Sequence, residues 1–87
     1  MAISTSDLVD KVTALSKSSE QLSSEIACAS QDLKRDANHL SMLTRGSRSG
    51  EESTNVVRES AQTLANIAKV ISLVCGSCDD YIRNAVR

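Results

Sequence analysis

The chain has no proline, tryptophan or phenylalanine, a single tyrosine at position 81, and only three glycines among 87 residues. It also lacks an excess of either charge: ten Lys and Arg face eleven Asp and Glu, for a formal net charge of −1. The balance is local too, with six acids and five bases in residues 1 to 45 and five of each in residues 46 to 87. Neutralising phosphates takes clustered Lys and Arg, and holding single strands takes aromatic stacking platforms. With neither at hand, nucleic acid is not an expected ligand. The longest mostly apolar run, Ala61 to Cys75, is interrupted by Gln62, Asn66 and Lys69, and falls short of a membrane span. Asp7, Asp10 and Lys11 break the apolar stretch that a signal peptide would need. A soluble protein with no cleaved signal peptide is expected.

What remains is pattern. A chain this short buries a limited share of its surface, so it needs a cross-link, a metal, a partner or very regular helix packing. Arg45-Gly46-Ser47-Arg48-Ser49-Gly50 holds two of the three glycines and separates two long periodic segments. Before it, Leu8, Val12, Leu15, Ser19, Leu22, Ile26, Ala29, Leu33, Asp36, Leu40 and Leu43 recur at alternating spacings of four and three, the seam of a heptad repeat. After it, Val57, Leu64, Ile71, Cys78 and Ala85 lie seven apart, joined by Ile67, Val74 and Tyr81 and flanked by Ala61, Ala68, Cys75 and Ile82. The reading is all-α: one domain over residues 1–87, an antiparallel hairpin with helix one at about 6–45, a turn at 46–49 and helix two at about 50–86.

Cap chemistry supports these limits. Ser4 or Ser6 suits the start of the first helix, and Ser49-x-x-Glu52 has the form of a capping box with Glu51 and Glu52 favourable to the helix dipole. Gly46 suits the left-handed residue that ends a helix. Gly76 lies inside the second helix, where glycine costs about 1 kcal/mol relative to alanine, and marks a weak point before Asp79 and Asp80.

Two helices cover each other along one seam only, and fifteen serines lower the helix propensity. The second helix is more apolar than one neighbour can cover, with Val56, Val70 and Leu73 flanking its main stripe. Val56, Val70, Leu73, Val74, Tyr81 and Ile82 are therefore the candidate partner-binding residues, and a helical partner or a second copy is the expected occupant. Beside the first seam run Val9, Ser16, Ser23, Ser30 and Ala37, a mostly small row at heptad spacing. It suits either close approach of a helix or a solvated flank.

Cys75-Gly76-Ser77-Cys78 has the spacing of redox and zinc half-sites. A thioredoxin-like site needs a strand, and nothing here resembles one. In a hairpin turning near residue 47, facing residues have numbers summing to about 95, so Cys28 falls roughly 12 Å along the axis from Cys75, beyond a disulfide or shared metal. Cys75 and Cys78 fall on the apolar stripe and are read as buried thiols acting as small hydrophobes, and an odd, unpaired set of three suits a reducing interior. His39 has no nucleophile placed beside it, and the adjacent acids Glu51-Glu52 and Asp79-Asp80 diverge around a helix. No catalytic, metal or cofactor site is expected, and no enzyme.

A short chain of two amphipathic helices with a glycine-containing turn near its midpoint resembles the WXG-type, ESAT-like helical hairpins of type VII secretion and the small subunits that pair with LXG toxins. The turn glycine of the family's Trp-x-Gly corresponds to Gly50 in Arg48-Ser49-Gly50, or to Gly46, with arginine or threonine in the tryptophan's place. The tyrosine of the family's export signal corresponds to Tyr81, followed here by Ala85 where the family carries an acid. The resemblance implies a secretion substrate, or a targeting and chaperone partner bound to the helical domain of a larger toxin. Such a protein starts in the cytoplasm and is secreted without a cleaved signal peptide. The other reading is a structural coiled-coil subunit of an intracellular assembly.

Overall fold

The structure is a computed structural model that describes residues 4–85. Two helices account for nearly all of them: α1, Thr5–Leu43, and α2, Arg48–Ala85. They fold back on each other as an antiparallel hairpin 64 Å long, 24 Å wide and 13 Å thick between Cα atoms. No strand occurs among the described residues. The expected end of the second helix at residue 86 lies outside them.

Local chemistry sets the ends. Ser4 is extended and its side chain accepts a hydrogen bond from the Asp7 amide at 3.1 Å, satisfying one of the four amides a helix start leaves open. At the other end the Thr44 amide donates to the Leu40 carbonyl and the Thr44 hydroxyl donates to the same oxygen at 2.7 Å. Gly46 then takes φ of 85°, the left-handed conformation that residues with a Cβ rarely adopt. The second helix begins earlier than its acidic pair suggests. Ser47, not Ser49, caps it: the Ser47 hydroxyl accepts from the Gly50 amide at 3.2 Å and its carbonyl accepts from Glu51. Ser49 lies within the first turn, and Arg48 pairs along the helix with Glu52 at 3.5 Å on the exposed surface.

The three glycines have different standing. A Cβ built at Gly50 would fall on the Thr44 side chain, so the chain can double back this tightly only without one. A Cβ at Gly76 meets nothing within 4 Å, and the helix continues through it to Ala85. Gly76→Ala is therefore expected to raise the unfolding free energy by up to about 1 kcal/mol. Gly50→Ala is expected to lower it by about 1–3 kcal/mol, the usual range for overpacking. Thermal unfolding followed by circular dichroism checks both, and equal shifts of the same sign would contradict this account of the turn.

Candidate functional site

The contact between the helices differs from the seam that the largest side chains suggest. On α1 and its C-terminal cap, the inward residues are Val9, Val12, Ser16, Ser19, Ser23, Ile26, Ser30, Leu33, Ala37, Leu40 and Thr44. On α2 they are Gly50, Thr54, Val57, Ala61, Leu64, Ala68, Ile71, Cys75, Cys78, Ile82 and Ala85. Each set alternates a row of small residues with a row of larger ones. The small rows meet. Ser30, Ala37, Thr54 and Ala61 are all at most 2 % exposed, and among the described residues no large side chain is fully buried.

Hydrogen bonds show how near the helices come. The Ser30 hydroxyl donates to the Ala61 carbonyl at 2.7 Å, and the Ser23 hydroxyl donates to the Ala68 carbonyl at 2.9 Å and meets the Ser72 hydroxyl at 2.8 Å. One heptad further, the Cys75 thiol donates to the Ser16 carbonyl at 3.6 Å, while the Ser16 hydroxyl donates to the Asp79 carboxylate at 2.6 Å. A side chain as short as serine reaches the neighbouring backbone only when nothing larger holds the helices apart. The row read as either a close-approach surface or a solvated flank is thus the helix-to-helix contact itself. These pairings also agree with the expected register: Ser16 lies between Cys75 and Asp79, and Ser23 between Ala68 and Ser72. The three cysteines are free: Cys78 is buried, Cys75 half-buried, and Cys28 exposed.

Closing the hairpin on its small rows turns the large ones aside. Because the helices are antiparallel, the row three residues beyond each small row emerges on the same side of both, here the front. Val12 of α1 accordingly shares an open hollow of about 430 Å³ with Val74, Cys78 and Tyr81 of α2. The next rows outward lie open: Leu8, Leu15 and Leu22 are 38 %, 51 % and 47 % exposed, and Ile67, Val74 and Tyr81 are 42–43 % exposed. Leu8, Leu15 and Leu22 were expected within the intramolecular seam; they line a surface instead.

The remaining candidates distribute around this face. Val56 and Val70, more exposed still, form its outer rim on α2. Leu73 lies beyond the rim and lines hollows on both sides of the helix. Ile82 is half-buried in line with Ala61, Ala68 and Cys75, so it belongs to the hairpin's own contact. Toward the turn the outer rows carry small and polar residues, Ala29, Asp36, Ser53 and Ser60, before the exposed Leu43 at the end of α1. Among the described residues Asp36 is the single charge in the four front rows. The reverse side differs: a hollow of about 650 Å³ there has a floor of Ser23, Ala27, Ala65 and Ala68 between Lys34 and Lys69.

Two further observations bear on chemistry. Among the described residues no group of three or more His, Cys, Asp or Glu is placed to hold a metal ion. An 18-residue window of α2 reaches a mean hydropathy of 1.2 with 17 % of it buried in the hairpin, so by length and composition this helix meets the lower bound for a membrane span. Its polar residues Gln62, Asn66 and Lys69 nevertheless lie off the front rows, and one-sided apolarity is the pattern of a helix that packs against protein. Comparison with protein-family models, with curated proteins and with solved structures finds no match for this chain.

The two kinds of row should respond differently to mutation. At concentrations where the chain is monomeric, Ser30→Leu is expected to destabilise the hairpin by about 1–3 kcal/mol by wedging the backbones apart. Leu22→Ala, at a half-exposed position and with a better helix former, should cost less than about 1 kcal/mol. Urea unfolding measures both, and a larger cost for Leu22→Ala would mean that the leucine row, not the serine row, closes the hairpin.

Proposed function

We propose that the chain is a non-enzymatic helical pairing module that lends its front face to the helices of another protein surface. The observation that carries this reading is the front face itself, where leucines, valines, isoleucine and tyrosine from both helices stand in register with one charge among them. A face of this kind, about half exposed, gains from burial roughly 25 cal/mol per Å² of apolar surface. Among the described residues the hairpin fully buries small side chains only and leaves its larger inward ones, Ile26, Leu33, Leu64 and Ile71 among them, half-buried, so a second layer adds apolar burial that the single chain lacks. The two-helix layout with its glycine turn is similar to the WXG-type hairpins, and it supports a specific form of the reading: a type VII secretion substrate, or a small targeting partner that covers the helical domain of a larger secreted toxin and escorts it from the cytoplasm. In that form Tyr81, at the open end of the front face, contributes to the composite export signal. A structural subunit of an intracellular helical assembly would use the same face.

The secretion form is tested by mixing the chain with the helical targeting domain of an LXG toxin encoded beside its gene. A complex by size exclusion, lost in Leu22→Asp and Val74→Asp but kept in Ala27→Asp on the reverse side, is the expected result. The lack of such a toxin gene, or of any complex, would remove the secretion form. A complex lost equally in Ala27→Asp would remove the front face from the pairing reading.

A further inference from the structure

We infer that, without another partner, the front face is covered by a second copy of this chain in a staggered, two-fold antiparallel dimer whose register is set by Lys11 and Glu25. The inference rests on the pairing reading above and names the occupant of the same face.

Cross-helix hydrogen bonds fix the levels along the hairpin. Ser16 bonds across to Cys75 and Asp79, and Ser23 to Ala68 and Ser72. The midpoint of Leu15 and Leu22 on α1 therefore lies level with Val74 on α2. A two-fold axis through that level, crossing the helices, places each front row on its own copy. Leu15 faces Leu22 of the second copy and the reverse, Val74 faces Val74, and Ile67 faces Tyr81. Both helices reach apolar self-pairing at the same level, which a face shaped for an unrelated partner has no need to do.

Charge selects this arrangement over the alternative. The row bordering the front on α1 holds Lys11, Ser18, Glu25, Asp32 and His39. The axis that pairs Leu15 with Leu22 also brings Lys11 level with Glu25 of the second copy, twice per dimer, and Ser18 with Ser18. Opposite charges at flanking positions fix register and orientation in helix pairs. The other two-fold packing has its axis parallel to the helices and both turns at one end. It would enclose both Asp36 carboxylates in the bundle interior with no cation in any front row, and an unpaired buried charge is costly. The staggered dimer leaves Asp36 and the polar turn end outside the overlap.

The area suffices. Overlap from the start of α1 to about Asp32 spans about 40 Å at 1.5 Å per residue, and two helices side by side are about 20 Å across. That is about 800 Å² per copy, the size of a standard stable interface.

Sedimentation equilibrium of the full chain tests the inference. The expected result is a reversible dimer whose dissociation constant rises about tenfold in Lys11→Glu and in Glu25→Lys, since each reversal turns two attractions into repulsions, and returns toward the original value in the double variant. Both positions are exposed, and circular dichroism confirms that each variant folds. Asp36→Leu should leave dimerisation within about twofold. A monomer at hundreds of micromolar overturns the second copy as occupant. It leaves the pairing reading to the complex with a heterologous helical domain. A dimer indifferent to the charge reversals, not restored by the double variant, or strongly tightened by Asp36→Leu overturns the register.

Discussion

The distance between the two helices governs everything else in this molecule, and serine hydroxyls that reach the opposite backbone set it. Ser30 donates to the Ala61 carbonyl and Ser23 to the Ala68 carbonyl, while Ala37 and Thr54 close the same line toward the turn. Each bond adds little net free energy, on the order of 1 kcal/mol, and the carbonyls keep their place in the α2 ladder by using a second lone pair. Their greater effect is geometric. With backbones this near, the larger residues one row away cannot point into the contact and turn to the front. The ion pairs add little to this: Asp32 with Arg35, Arg48 with Glu52 and Asp80 with Arg83 all lie within single helices on exposed surface.

Two faces of opposite character follow. The front carries the apolar rows of both helices, and the reverse carries a hollow with small residues at its floor and Lys34 and Lys69 at its edge. A lone hairpin thus buries small residues most completely, holds Ile26, Leu33, Leu64 and Ile71 half-buried, and leaves a second set of large apolar side chains in water. Such a division is unfavourable for an isolated chain and sensible for half of a four-helix arrangement, in which each helix points its apolar stripe between two neighbours.

Much of the fold was legible from spacing. The alternation of fours and threes marks both helices, Gly46 marks the turn, and the pairing levels follow from where the chain reverses. Ser4 is recognisable as a cap because it stands three residues before Asp7. The choice of Ser47 over Ser49 depends on Gly50, whose lack of a side chain lets the second helix start two residues sooner, against Thr44. Periodicity locates a stripe but not its centre. The leucine row and the serine row differ by one residue, about 100° around the helix, and weighing by hydrophobicity favours the leucines. What could have pointed to the serines is that Ser16, Ser23, Ser30 and Ala37 on α1 have small counterparts in Ala61, Ala68 and Cys75 on α2, a match that appears only when both helices are aligned antiparallel. The same shift explains why Ile82 lies within the contact while Leu15 and Leu22 do not.

The central claim is that the small rows close the hairpin and the large rows await a second layer. Hydroxyl-radical footprinting over a range of protein concentration reads this directly, because Leu15, Leu22, Leu43 and Leu73 share one intrinsic reactivity and are all open in the single chain, at 47–73 % exposed. Leu15 and Leu22 are expected to become protected as concentration rises through the micromolar range, while Leu43, in the same row but beyond the overlap at the turn end, and Leu73, beyond the rim, stay reactive. Four leucines oxidised in proportion to their single-chain exposure at every concentration would contradict it.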